Sequence, residues 1–114
     1  MSEIIRIEAG PRMSQAVVHG GLVYLSGQVA TGATVTEQTT AVLAQIDALL
    51  AAAGTSKAKL LTANVWLTDI TTFGELNAVW EKWVVPGATP SRATVEAKLA
   101  TPEYKVEIAV VAVI

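Results

Sequence analysis

Residues 104–113 read Tyr-Lys-Val-Glu-Ile-Ala-Val-Val-Ala-Val, and they predict the strand on which the fold depends. Side chains alternate between the two faces of a strand, yet from Ile108 onward both faces of this strand are apolar. A strand with two apolar faces is typical of the middle of a sheet or of a subunit interface. Near its start, Glu107 stands as a lone carboxylate at the head of an apolar face.

Five shorter strands are predicted around this one, from runs that are rich in β-branched residues or that alternate in polarity. They cover Ile4–Ile7, Gln15–His19, Leu22–Val29, Leu61–Thr68 and Arg92–Lys98. Gly20 and Gly21 separate the second and third of these runs and supply the positive φ angles of a tight hairpin turn.

Two helices are predicted from apolar residues that recur at steps of three and four. The first follows Thr34 and Glu37, which have the spacing of a capping box, and it ends at Gly54. The second follows Thr72 and Glu75, which have the same spacing, and Pro86-Gly87 must end it. The apolar stripes are Val42, Leu43, Ile46, Leu49, Leu50 and Ala53 in the first helix, and Phe73, Leu76, Trp80 and Trp83 in the second.

The order β-β-β-α-β-α-β-β predicts a single α+β domain over residues 1–114, with a six-stranded sheet and both helices on one face. The opposite face of the sheet then lacks a cover. The chain has 114 residues, of which 52% are hydrophobic and 16% charged, and its mean hydropathy is +0.47. This apolar surplus exceeds what one small core needs, so we expect an oligomer.

Composition argues against several other classes of protein. The longest apolar run, Ile108–Ile114, is far shorter than the roughly 20 residues of a membrane-spanning helix, and the first residues lack a secretory pattern. The net charge is −2, the pI is about 5.3 and the basic residues are scattered. Nucleic-acid and membrane partners are therefore not expected, and a cytoplasmic location is. Neither a phosphate loop nor a cysteine or metal constellation occurs, which leaves a cofactor-free site.

Residues 89–96, Thr-Pro-Ser-Arg-Ala-Thr-Val-Glu, place Arg92 and Thr94 on one face of a strand in a chain poor in charge. A guanidinium binds a carboxylate through two parallel hydrogen bonds, and the carboxylate of Glu107 can accept a proton from water. A solvated polar face would give the same spacing. Gly27, which interrupts a strand, indicates either a close approach or packing relief, and Asn77 in the second helix can simply face solvent.

Four segments together resemble a known family over nearly the whole chain. They are Tyr24–Val29, the run Asp69…Phe73…Asn77, Pro90–Glu96 and Val106–Ile108. Each is short, but their order and separation are similar to those of the Rid family, the reactive intermediate deaminases, also called the YjgF family.

The resemblance implies a chorismate-mutase-like fold that assembles as a homotrimer around a central barrel, with clefts between neighbouring subunits. It implies hydrolysis of enamines and imines, such as 2-aminoacrylate and 2-imino acids, to 2-oxo acids and ammonia without metal or cofactor. By position, Arg92 matches the family residue that binds the substrate carboxylate and Glu107 the one that activates water. Gly27 matches a glycine that lines the cleft, Asn77 a helix asparagine near the site, and Thr94 a position often held by cysteine.

One position departs from the family pattern. Many deaminase members carry a tyrosine shortly after a Gly-Pro pair, and here Met13 stands at that position after Gly10-Pro11. A thioether cannot make the hydrogen bonds of a phenol. A non-catalytic protein that binds 2-oxo acids or other carboxylates is therefore the main alternative. Chorismate mutase chemistry and RNA cleavage rank lower, because both need more cationic groups than this chain gathers.

Overall fold

The computed structural model describes residues 3–114, which form six strands, two α-helices and two short 3₁₀ turns. The strands are β1 Ile5–Ala9, β2 Ser14–His19, β3 Leu22–Leu25, β4 Leu60–Leu67, β5 Ser91–Glu96 and β6 Val106–Val113. The helices are α1 Val35–Ala52 and α2 Phe73–Trp83, and the 3₁₀ turns are Lys57–Lys59 and Ile70–Thr72. The predicted element order is confirmed.

All six strands form one sheet in the order β1-β2-β3-β6-β4-β5. Neighbouring strands are antiparallel except β4 and β5, which are parallel because α2 carries the chain back between them. The strand β6 lies between β3 and β4, so the central position predicted from its two apolar faces is confirmed.

Both helices pack on the same face of the sheet, as predicted. Alternate residues of β6 point toward them and are buried: Val106, Ile108, Val110 and Ala112. They meet apolar side chains of α1 and α2, including Leu43, Ile46 and Leu76, in the hydrophobic core. The molecule is only 20 Å thick along its shortest axis, which matches one sheet layer and one helix layer.

The other face of the sheet, which we call the open face, carries no second layer within residues 3–114. It presents mainly apolar side chains from β2, β3, β5 and β6 beside the ring of Trp66. Tyr24 and Val95 on this face are 44% and 49% exposed. The predicted uncovered face is thus present. Within the same residues, neither helix combines the length and apolar character needed to cross a bilayer.

The capping box predicted for α1 is confirmed. The hydroxyl oxygen of Thr34 accepts a hydrogen bond from the backbone N–H of Glu37 at 3.1 Å, and Glu37 Oε2 accepts one from Ala33 N–H at 2.8 Å. These contacts satisfy N–H groups that the first turn of a helix leaves free.

The capping box predicted for α2 is wrong. Thr72 makes no side-chain cap to the helix and instead donates its hydroxyl to the carbonyl of Asp69 at 2.6 Å. Glu75 Oε1 accepts from the N–H and the hydroxyl of Thr36 at 3.0 and 2.8 Å. A tertiary contact to the N-terminus of α1 therefore replaces the local one, which a spacing rule within one helix cannot detect.

Strand ends differ from the prediction by up to four residues, and two of these differences have a clear cause. The strand β3 stops at Leu25, and the chain returns to the sheet only at Gln28, which exchanges backbone hydrogen bonds with Ile108 at 2.8 and 3.2 Å. The strand β6 starts at Val106 instead of residue 104, because the buried side chain of Gln38 accepts a hydrogen bond from Lys105 N–H at 2.7 Å.

Candidate functional site

Arg92 lies on β5, which is an edge strand of the sheet. In the parallel register with β4 it pairs with Ala63, and Thr94 pairs with Val65. Both partners on β4 are buried under the helices, so Arg92 and Thr94 point to the helix side of the sheet. The predicted placement of these two side chains on one face is confirmed.

The guanidinium of Arg92 lies against two aromatic rings of α2. Its Cζ is 5.6 Å from the centre of the Phe73 ring and 5.3 Å from that of Trp80. Asn77 lies four residues after Phe73 and three before Trp80, so helical periodicity places it on the same face of α2. We call Arg92, Thr94 and Asn77 the helix-side half-site.

Two polar atoms of the helix-side half-site are buried and lack a hydrogen-bond partner among residues 3–114: Arg92 Nη1 and Thr94 Oγ1. Buried polar atoms are nearly always paired, so such atoms call for an explanation. Burial lowers the pKa of Arg92, and the negative charge of Glu81 partly opposes that effect. An arginine nevertheless stays protonated in proteins. A buried, charged N–H group beside a hydroxyl is suited to hold a carboxylate.

Glu107 lies against Gly27. A Cβ atom built on Gly27 would overlap Oε2 of Glu107 and lie 2.8 Å from its Cδ. Only glycine leaves room for the carboxylate at this position. The structure therefore supports a close approach to Gly27, and not packing relief, as the reason for this glycine. We call Gly27 and Glu107 the open-face half-site, because Glu107 pairs with Trp66 and points away from the helices.

The two half-sites lie on opposite faces of the sheet, and β4 runs between their strands. Arg92 pairs with Ala63 and Glu107 with Trp66, three positions apart on β4, which is about 10 Å along the strand. One chain therefore does not bring the guanidinium and the carboxylate together. Sequence spacing alone could not reveal this, because it does not relate the faces of two separate strands.

A cavity of about 410 Å³ adjoins the open-face half-site on the side of β1 and α1. Gly27 lines it together with Met13, which is 53% exposed, and with Gln28, whose Nε2 donates to Gln15 Oε1 at 2.9 Å. Met13 is thus near Gly27, where the family resemblance puts a tyrosine. Sequence analysis did not predict that glutamine side chains line this cavity. The one available signal was that Gln28 is next to Gly27 in the chain.

The aromatic contacts of Arg92 were also missed, since Phe73 was interpreted as part of an apolar stripe and as a marker of the family resemblance, and Trp80 only as part of that stripe. Their separation of seven residues, two helical turns, was the available signal. No group of three or more potential metal ligands occurs within residues 3–114.

Comparison with known proteins relates this chain to one family over its length. The family model described as "Endoribonuclease L-PSP" matches residues 4–114. The chain is 45% identical over 112 residues to a RutC family protein of Haemophilus influenzae, covering 96% of this chain and 97% of that protein. The chain belongs to the Rid family. The chain is also 43% identical over 112 residues to the RutC family protein YoaB of Escherichia coli K12. That alignment covers 97% of this chain and 98% of YoaB.

Among solved structures, this Rid protein is similar to NMB1025 of Neisseria meningitidis, a member of the YjgF protein family. The TM-score is 0.96 and the identity 49%, over 97% of this chain and 94% of that one. The α+β architecture, with six strands and two helices in one sheet-and-helix arrangement, is thus shared with a crystallised Rid protein. The recognition of the family from its four short segments is confirmed.

Proposed function

We propose that this protein hydrolyses 2-imino acids and 2-aminoacrylate to 2-oxo acids and ammonia, without a cofactor. The observation that carries the proposal is that two atoms of the helix-side half-site, Arg92 Nη1 and Thr94 Oγ1, are buried and lack a hydrogen-bond partner within residues 3–114. A substrate carboxylate would satisfy both. Membership of the Rid family supports the same reaction class.

The chemistry requires a water molecule to attack the imine carbon. Arg92 fixes the carboxylate, which orients that carbon and lowers the entropy cost of attack. Glu107 accepts a proton from the water as the C–O bond forms. The imine reacts in its protonated form, so attack gives a neutral carbinolamine. Glu107 then returns its proton to the nitrogen, and the C–N bond breaks to release ammonia. The carbinolamine hydroxyl gives its proton to Glu107, and from there to ammonia, as the 2-oxo acid forms. Enamines such as 2-aminoacrylate enter after they tautomerise to the imine.

Because the half-sites face opposite ways, the working site in this proposal combines two copies of the chain. The helix-side half-site of one subunit supplies Arg92, and the open-face half-site of its neighbour supplies Glu107. A ring of such contacts closes as a homotrimer with the open faces turned inward as a central barrel. The apolar character of the open face supports its burial by another copy.

A coupled assay tests the proposed reaction. An amino-acid oxidase generates a 2-imino acid, semicarbazide traps it, and an active deaminase lowers the yield of semicarbazone by hydrolysing the imine first. We expect wild-type protein to compete with the trap. Arg92→Ala should lower kcat/KM about 100-fold, which corresponds to about 2.7 kcal/mol of transition-state stabilisation.

Lys82→Ala is the control, since Lys82 is an exposed cation on α2 and lies away from the open face. It should leave the rate unchanged. If Arg92→Ala competes with semicarbazide as well as wild type does, Arg92 is not the carboxylate anchor. If the wild type itself has no effect on small, branched and aromatic imines, the proposed deaminase activity is refuted.

A carboxylate-binding protein without turnover is the second candidate. Met13 favours it, because this exposed side chain lines the cavity beside Gly27 and cannot donate the hydrogen bond of a phenol. In that case pyruvate would bind in an Arg92-dependent manner while imine hydrolysis stays at the uncatalysed rate. Met13→Tyr would then raise the rate without changing the affinity for pyruvate.

RNA cleavage, which the family description as an endoribonuclease suggests, is not proposed for this chain. Binding of a phosphate backbone depends on clustered basic side chains, whereas the chain has eight lysines and arginines against ten acidic residues.

A cytoplasmic location stays a prediction.

A further inference from the structure

We infer that Phe73 and Trp80 are positioning residues that hold the Arg92 guanidinium with its N–H edge turned toward the substrate carboxylate. This inference rests on the proposed role of Arg92. According to this inference, carboxylate binding requires a defined orientation of the guanidinium plane as well as the positive charge of Arg92.

The first argument is the geometry of the contacts. The Cζ atom of Arg92 lies over both rings, at 5.6 Å from Phe73 and 5.3 Å from Trp80. Aromatic rings attract the flat face of a guanidinium, whereas a carboxylate binds in its plane. Ring contacts therefore leave the N–H edge available, and Nη1 on that edge is buried and unpartnered within residues 3–114.

The second argument is that Trp80 is itself held in place. Its ring centre is 5.4 Å from that of Trp83 at an interplanar angle of 46°. Trp83 Nε1 donates a hydrogen bond to Asp47 Oδ2 on α1 at 3.0 Å, and Lys57 Nζ lies 5.2 Å from the Trp83 ring. A chain of contacts thus connects Arg92 through two indoles to the other helix.

Phe73 differs from Trp80 in a way that makes it the better target for mutation. Trp80 belongs to the hydrophobic core, and changing it endangers the fold. Phe73 begins α2 and is 41% exposed, so the core does not depend on it. Ile70 is also 41% exposed and lies three residues earlier, which makes it a matched control.

The test measures pyruvate binding by isothermal titration calorimetry on the full chain. Phe73→Leu keeps an apolar side chain but removes the ring, and we expect the Kd to rise about 5-fold. Phe73→Tyr, which keeps a ring face, should bind within about 2-fold of wild type, as should Ile70→Ala. Arg92→Lys should bind almost as weakly as Arg92→Ala, because an ammonium has no plane for the rings to orient.

A second readout separates positioning from general stability. The Arg92 Nε–H proton resonance should be shifted upfield by the two rings in wild type, and Phe73→Leu should move it toward the position of an unstacked arginine. Ile70→Ala should leave it in place. Loss of stability alone would not produce that pattern.

The possible outcomes distinguish this inference from the proposed function. If wild type binds pyruvate and Arg92→Ala does not, but Phe73→Leu and Arg92→Lys bind normally, the positioning role is overturned while the anchor stands. If wild type shows no Arg92-dependent binding of pyruvate, the carboxylate anchor and the positioning role fall together.

Discussion

The two half-sites of this chain differ in how much of their surroundings one subunit provides. In the helix-side half-site, α2 of the same subunit supplies two rings against Arg92. In the open-face half-site Glu107 lies against Gly27, on a sheet face that carries no second layer within residues 3–114. Under the proposed function, one chain therefore provides the contacts to the substrate carboxylate, whereas its Glu107 acts on substrate held by a neighbouring copy.

This difference separates two kinds of defect. Changes near Arg92 should weaken carboxylate binding in any oligomeric state. Changes on the open face should remove catalysis by disturbing assembly or the position of Glu107, with carboxylate affinity less affected.

The largest effect is expected from a charge placed in the middle of the open face. Val111 lies there between Tyr24 and Thr62 in the sheet register. Val111→Lys would bury an unpaired ammonium in the proposed subunit contact, at a cost of several kcal/mol. We expect monomers by light scattering and a loss of about 100-fold or more in deaminase activity, with the circular dichroism of the fold retained.

Ala44→Lys is the control, since Ala44 is exposed on α1 at the opposite side of the molecule. It should leave both mass and activity unchanged. An active Val111→Lys monomer would show that one chain contains a complete site and would remove the distinction between the half-sites.

Gly27→Ala should impair turnover without impairing carboxylate binding. The added Cβ overlaps the Glu107 carboxylate and must displace it. Because a displacement of about 1 Å can lower a rate by about 100-fold, we expect kcat to fall about 10- to 100-fold. The Kd for pyruvate should stay within about 2-fold of wild type, since Arg92 is untouched.

Gly74→Ala is the matched glycine control. Gly74 is helical, and a Cβ there meets no atom within 4 Å. The substitution should stabilise the protein by about 0.5–1 kcal/mol with activity unchanged. A Gly27→Ala protein with normal kcat would mean that the position of Glu107 does not matter for the reaction.

Sequence reasoning predicted the sheet, both helices and the central position of β6, because each depends on the periodicity of apolar residues, and for α1 also on a local cap. It also placed Arg92 and Thr94 on one face of a strand. It could not predict that Arg92 and Glu107 face opposite ways, because the relation between strands depends on the parallel register of β5 and the antiparallel register of β6. The contacts of Glu75 and Gln38 were missed for the same reason, since they join residues 39 and 67 positions apart.

Gln38 is expected to stabilise the start of β6, and with it the open-face half-site. Its buried amide donates to the carbonyls of Gly32 and Glu103 at 3.0 and 2.9 Å, and it accepts from Lys105 N–H at 2.7 Å. Gln38→Leu would leave these groups without their partner. Urea denaturation should show a loss of about 2–4 kcal/mol. Gln45→Leu, at a half-buried site on the same helix, should cost less, and equal losses would contradict this role.

The smallest effect concerns Asp69, which caps the turn that leads into α2 and the helix-side half-site. Its Oδ1 accepts from the N–H and hydroxyl of Thr71 at 3.0 and 2.6 Å, and these bonds lower its pKa below the ordinary 3.8. A carboxylate with a lowered folded-state pKa stabilises the protein above its unfolded pKa, and the benefit disappears as pH falls through the folded pKa. Asp69→Ala should therefore lower the Tm slightly at pH 7, and the difference from wild type should shrink as the pH falls below the ordinary carboxyl pKa of 3.8. A constant difference would contradict the linkage.

Subunit complementation tests most directly whether the working site joins two copies of the chain. Arg92→Ala and Glu107→Gln, each inactive alone, are co-expressed at equal levels and assayed as mixed oligomers. In a closed ring with random mixing, about a quarter of the contacts pair an intact Arg92 with an intact Glu107 from the neighbour, so about a quarter of wild-type activity should return. Mixed oligomers as inactive as either variant alone would contradict the composite site.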